Sequence, residues 1–311
     1  MTTTQTPARP RLKLRVRSRG TRSALTRRPL TGMLFVAPTA LIVAVLFLVP
    51  LGILFWMSFT DYPLLGSPTW TGLDNYREIP QNDLFTGAIG FTLVYTAVTT
   101  VVMFGVSFVL VAISNSSRRG AKVYRTSYFL PYVLGTAAAA LMFYVNLDTV
   151  VGIFNELLLR VGLIDKPVPF LAVQPQAFWS IILMVTWKFI GFQVLILLVG
   201  LQAIPKEQYE AARMDGANAW QQMRFITIPY LTPTVALLLI LSVTGSLLAF
   251  DQFLILTKGG PDNSTVSVVY AIYNTAFQSF QLGKAAALSM VLLAVLILLN
   301  GVQLTLLRRR D

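Results

Sequence analysis

Apolar residues gather along the chain into six long runs, separated by shorter stretches in which charged and polar residues return. The runs lie near residues 33–59, 84–113, 126–147, 177–200, 231–256 and 284–307. Each reaches the roughly 20 residues of helix that cross the hydrocarbon core of a bilayer. Pro38, Pro50 and Pro131 fall inside or near run ends; lipid-embedded helices tolerate them because neighbouring groups satisfy the carbonyls they release. The pattern predicts an all-α, polytopic membrane protein with about six transmembrane helices.

Composition supports the same class. The chain is 55% hydrophobic and 12% charged, against about 25% charged in a soluble domain. Cys and His are both absent, which removes disulfides, thiolate chemistry, His-ligated metals and His general bases. No acidic cluster suggests an oxygen-ligand metal site.

The net charge of +12 takes its meaning from its distribution. Nineteen of the 25 Lys and Arg fall on one side of the predicted membrane: the arm with Arg9 to Arg28, the loop with Arg118 to Arg125, the 201–230 segment and the tail Arg308 to Arg310. Arg77, Arg160, Lys166, Lys258 and Lys284 fall on the other, and Lys188 lies within a span. The positive-inside rule places both termini in the cytoplasm, as an even number of spans requires. Residues 1–30 contain no acidic residue and read as a cytoplasmic basic arm facing lipid headgroups. An organellar transit peptide shares this composition.

The segment 201–230 keeps its charge although it sits between two spans. Pro205 suits a first helical position, Glu207 a first turn, and Gly216 a left-handed helix end. A second short helix would place Ala219, Trp220, Met223 and Ile226 on one face, with Pro229 and Pro233 marking re-entry into the membrane. Two helices joined by a Gly turn also suggest a DNA reader. Lys206, Arg213 and Arg224 balance Glu207, Glu210 and Asp215, whereas a nucleic-acid element is basic. Docking to a protein and an interfacial helix packed on the chain's own spans both remain open.

The stretch EAARMDGANAWQQMRFITIP resembles the signature of membrane subunits of bacterial binding-protein-dependent ABC importers. Glu210, Ala211, Ala212, Gly216, Ile226 and Pro229 fall in register, and Ile228 stands where Leu is usual. FLPYV at 129–133, GLQAIP at 200–205 and LTKGGPDNSTVSVVYAIYNTAF at 256–277 are similar to the branch for oligosaccharides, polyols and glycerol phosphates. The resemblance implies an importer transmembrane domain over 31–311 in a bacterial or archaeal plasma membrane. It also implies a second homologous permease, a pair of ATP-binding subunits that hold ATP and Mg, and an extracytoplasmic solute-binding protein. The segment with Glu210, Ala211, Ala212, Asp215, Gly216, Ile226 and Pro229 would then be the coupling element that inserts into the ATPase. The chain has no GxxxxGK[ST] loop, so it lacks the usual phosphate cradle, and ATP hydrolysis is expected on another chain.

Two charges fall within the spans: Lys188 near the middle of the fourth and Asp251 near the outer end of the fifth. A charge at such depth costs about 2.5–3.5 kcal/mol on insertion scales, so each should face protein or a water-filled cavity. One reading puts Lys188 and Asp251 in a solute path with Trp187, Phe192 and Gln193; the other pairs Lys188 with Asp251 to fasten two spans, or has Asp251 simply reaching the outer interface. A gradient-driven transporter or channel using the two as a charge relay is the rival function. A membrane-embedded enzyme would need more convergent groups than two ionisable residues. The sequence does not name the solute.

Overall fold

The computed structural model describes residues 29–114 and 121–308. The basic arm expected over 1–30 lies outside them apart from Pro29 and Leu30, which already begin a helix. Ser116, Arg118, Arg119, Arg309 and Arg310 also lie outside. Among the described residues every regular element is helical, with one isolated antiparallel bridge between Thr60 and Trp70.

The chain divides into residues 1–53 and 54–311. The first unit holds helix Pro29–Val43, a π-helical turn, Ala44–Leu48, and the start of helix Val49–Met57. The side chains along these elements are apolar nearly throughout, and Met33–Met57 is 25 residues long, enough to cross a membrane.

The second unit holds four further helices of that length and apolarity: Asp83–Ser114, Gln174–Gln202, Ala219–Leu247 and Leu282–Thr305. The expected span 126–147 is not one straight helix. Helices Ala121–Val133 and Thr136–Asn146 meet at 105°. Gly135, in extended conformation, caps the second of them, and Pro131 in the last turn of the first has no N–H to continue the ladder. The chain thus has five membrane-length helices, or six if the bent pair counts as one.

Gln174–Gln202 runs through the middle of the unit because its buried residues surround it rather than forming one stripe. Ile181, Ile182, Met184 and Val185 pack with Tyr95, Phe143 and Phe253. One turn later, Ile190, Val194, Leu197 and Leu198 pack with Met103, Val111 and Leu238. Between these clusters, Gly191 permits the close approach of the bent pair. A Cβ there would fall on the Tyr128 carbonyl oxygen and 2.6 Å from Phe129 Cα.

Two expectations about the fifth span change. Ala219 to Leu247 forms one continuous helical run, so no separate second helix precedes re-entry. Pro229 does not stop it because a π-helical turn, Met223–Thr227, comes first, and the Ile228 N–H bonds the Met223 carbonyl five residues back. At its other end the helix stops at Leu247, short of the expected residue 256, and the chain resumes as a π-helical turn, Phe253–Thr257.

Candidate functional site: an exposed interhelical segment and an intramembrane cavity

The segment between the fourth and fifth long helices is a short helix with a defined start and a hydrogen-bonded end. Pro205 takes an extended conformation as N-cap, one position earlier than expected, and the helix is Lys206–Met214. Glu207 lies in its first turn and Arg213 in its last, each matched to the local helix dipole. Gly216, at φ +78°, ends it. The Ala217 N–H bonds the Ala212 carbonyl (2.8 Å) and the Gly216 N–H bonds the Arg213 carbonyl (3.1 Å), the paired bonds of a Schellman motif.

The next helix starts at once. Asn218 Oδ1 accepts from the Gln221 N–H (2.9 Å), and Gln221 Oε1 accepts from the Asn218 N–H (2.8 Å), a reciprocal capping box. The Tyr209 and Thr227 hydroxyls, 2.9 Å apart, tie the segment to the fifth span.

This unit leaves its outer surface uncovered. Glu210, Ala211, Asp215, Gly216 and Pro229 are exposed, and Ala212 and Ile226 are half-buried. Met214 is 89% exposed, Trp220 67% and Phe225 69%. Of the four apolar residues expected on one face, Ala219, Trp220 and Met223 are exposed while Ile226 turns partly inward. Exposed large apolar side chains, Met214, Trp220, Met223 and Phe225, at a charge-balanced helix end suit contact with protein.

A cavity of about 440 Å³ opens among the long helices, within the size range of small-molecule sites. Phe192, Gln193 and Asp251 line it, as the solute-path reading expects. Phe192 stacks on Tyr132 (centroids 4.8 Å, planes 11° apart). Gln193 is buried, and its Nε2 has no hydrogen-bond partner.

Trp187 and Lys188 are not part of the lining. Trp187 packs against Phe143 (5.3 Å) in the adjacent core. Lys188, 3% exposed, donates from Nζ to the carbonyls of Leu134 (2.5 Å) and Tyr132 (3.4 Å). Both carbonyls belong to the break between Ala121–Val133 and Thr136–Asn146, where helix ends leave carbonyls without intrahelical donors. The ammonium also lies over the rings of Phe189 (4.8 Å) and Tyr132 (5.8 Å). Lys188 thus makes no ion pair with Asp251, and it donates to two backbone carbonyls.

Several lining residues were not anticipated. Tyr95 and Thr99 come from helix Asp83–Ser114, Ser242 and Ser246 from the fifth span, and Gln252 from just beyond it. Gln252 Nε2 donates to the Tyr95 hydroxyl (3.2 Å). A signal existed in the second span, where Thr92, Tyr95, Thr96 and Thr99 recur at helical spacing in an otherwise apolar run.

The chain matches the model of the binding-protein-dependent transport system inner membrane component family over residues 105–311. It is 32% identical to a probable ABC transporter permease protein, YesP, of Bacillus subtilis, over 86% of each chain. It is 31% identical to the lactose transport system permease protein LacF of Rhizobium radiobacter, over 90% of this chain and 94% of that one. Its fold matches a chain of the bacterial alginate ABC transporter crystallised with an alginate pentasaccharide-bound periplasmic protein, with TM-score 0.78 and 23% identity. That match covers 91% of this chain and 98% of the other. The chain therefore belongs to the family of inner membrane components of binding-protein-dependent transport systems, as a multi-pass permease of the ABC transporter class.

Proposed function

We propose that the chain is the permease subunit of an ATP-driven importer that moves a carbohydrate or related polar solute into the cell by alternating access. Its solute path runs through the cavity lined by Phe192, Gln193 and Asp251. Its energy comes from ATP and Mg held by a pair of separate ATP-binding subunits. The observation that carries this reading is the helix Lys206–Met214, begun at Pro205 and closed by a Schellman motif yet uncovered outside. A segment with that much fixed structure and exposed apolar surface fits a partner surface in the cytoplasm. Glu210, Ala211, Ala212, Asp215 and Gly216 form the docking element, and Ile226 and Pro229 anchor it to the fifth span.

The remaining partners follow from the family. A second homologous permease completes the path, and an extracytoplasmic solute-binding protein delivers the solute, as a periplasmic protein accompanies the alginate transporter. Carbohydrate is supported by the lactose permease among the relatives. The charge asymmetry of the loops supports cytoplasmic termini, and the family supports a plasma-membrane location. The gradient-driven alternative relied on Lys188 and Asp251 as a relay, and Lys188 is committed to two carbonyls instead.

The test is uptake of labelled sugars by cells that carry or lack the gene, with ATP depleted while the ion gradient is held, and then the reverse. Uptake that stops only on ATP depletion, with an ATPase copurifying with the chain, supports the proposal. Uptake that follows the gradient overturns it.

A further inference from the structure

Resting on the importer reading and deepening it, we infer that the cavity takes a hydroxyl-rich solute carrying no negative charge, and that Asp251 sets this preference. Asp251 is the one charged side chain lining the cavity among the described residues. It makes no ion pair there; the ion pairs among those residues join Arg77 to Asp74, Arg160 to Glu156 and Lys284 to Glu78. Among the described residues the one buried cation is Lys188. Its ammonium lies against the rings of Phe189 and Tyr132, both of which line the cavity, and donates to the carbonyls of Tyr132 and Leu134. An anionic solute would therefore meet a carboxylate with no lining cation to offset it, where like charges repel more strongly than in water.

The other lining groups suit hydroxyls. Gln193, Ser242 and Ser246 contribute to the lining, Gln193 with its Nε2 buried and without a partner, and Ser242 half-buried. Asp251 supplies only acceptors, while the Ser242 hydroxyl, also in the lining, donates as well as accepts, so a polyol with several hydroxyls bonds both. A carboxylate or phosphate offers acceptors alone and leaves Asp251 without a donor. The stacked rings of Tyr132 and Phe192 add an apolar wall for the C–H face of a sugar.

The test uses the permease purified with its copurifying subunits in lipid nanodiscs. Equilibrium binding is measured for labelled maltose, cellobiose and lactose, and for the counterpart of each that carries a carboxylate at C6. The expected result is that at least one neutral disaccharide binds and its carboxylate counterpart binds about tenfold more weakly or worse. Asp251→Asn should bring that ratio close to one by improving the carboxylate, Asp251→Glu should preserve it, and Ser242→Ala should weaken the neutral ligand about threefold or more. The ratio compares two ligands on one preparation, so loss of folded protein in a variant cancels. Equal or tighter binding of the carboxylates to the native protein, a ratio unmoved by Asp251→Asn, or no binding of any neutral disaccharide would overturn the inference. None of these outcomes bears on whether ATP drives uptake, so failure of the importer reading would show separately in the depletion experiment.

Discussion

The ammonium of Lys188 reaches out of the fourth span to the carbonyl oxygen of Leu134, closing the end of a helix that breaks inside the apolar part of the fold. A positive charge at a helix C-terminus is favoured by the dipole and by carbonyls that lack donors. Lys188 is thus a positioning residue: it fixes the 105° turn whose Tyr132 and Thr136 line the cavity.

Lys188→Met removes both bonds and leaves two carbonyls without a donor, at about 1–3 kcal/mol each where they are buried. The purified complex should lose thermal stability, and adding Asp251→Asn should not restore it, because the two side chains are not paired. Recovery in the double variant, read by thermal unfolding at matched protein level, would reinstate the ion pair. Gly191→Val attacks the same joint from the other side, by driving side-chain atoms into the Tyr128 carbonyl, and should lower yield comparably.

Much of this architecture is legible in the sequence, for reasons that also explain what is not. Long apolar runs announce themselves because lipid demands them, and Gly216 announces a helix end because its φ of +78° resists a side chain. The turn at 133–136 is hidden because apolarity continues unbroken through it, although Pro131 and Gly135 were available as signals. The partner of Lys188 is hidden for a different reason. Sequence displays charged side chains, so Asp251 offers itself, whereas the carbonyls that accept its protons belong to every residue. Pro229, read as marking re-entry, does not show that the helix before it runs straight into the span, because the π-helical turn that shifts the bonding pattern there has no sequence signature of its own.

Orientation gives a direct prediction. Gln221 and the C-terminus should face the cytoplasm, and Ser67, Gln174 and Asn263 the outside. Because the chain has no Cys, single substitutions such as Gln221→Cys and Asn263→Cys report one site each. In intact cells an impermeant thiol reagent should label Asn263→Cys and spare Gln221→Cys. The opposite pattern would invert the assigned topology.

Asp61 offers a pH prediction outside the spans. Its carboxylate accepts from the Thr69 N–H (2.7 Å) and the Thr69 hydroxyl (2.9 Å), and these bonds hold its pKa below the ordinary 3.8. A depressed folded-state pKa gives stability that is present above the unfolded value and lost as pH falls through the folded one. Asp61→Asn should therefore lower the thermal midpoint at neutral pH, with the gap to the native protein closing only as the medium becomes more acidic than about pH 4. A gap independent of pH would show that the loop does not depend on the ionised carboxylate.

The helix Lys206–Met214 is the point at which ATP hydrolysis and the cavity are proposed to meet, and Gly216 fixes its end. The most direct measurement is solute-stimulated ATP hydrolysis by the reconstituted complex carrying Gly216→Val, at matched protein level. The β-branched side chain disfavours the left-handed backbone and should misalign the helix while leaving the spans untouched. The account predicts a permease that inserts and assembles yet has lost both uptake and solute-stimulated hydrolysis; native levels of both in this variant would contradict it.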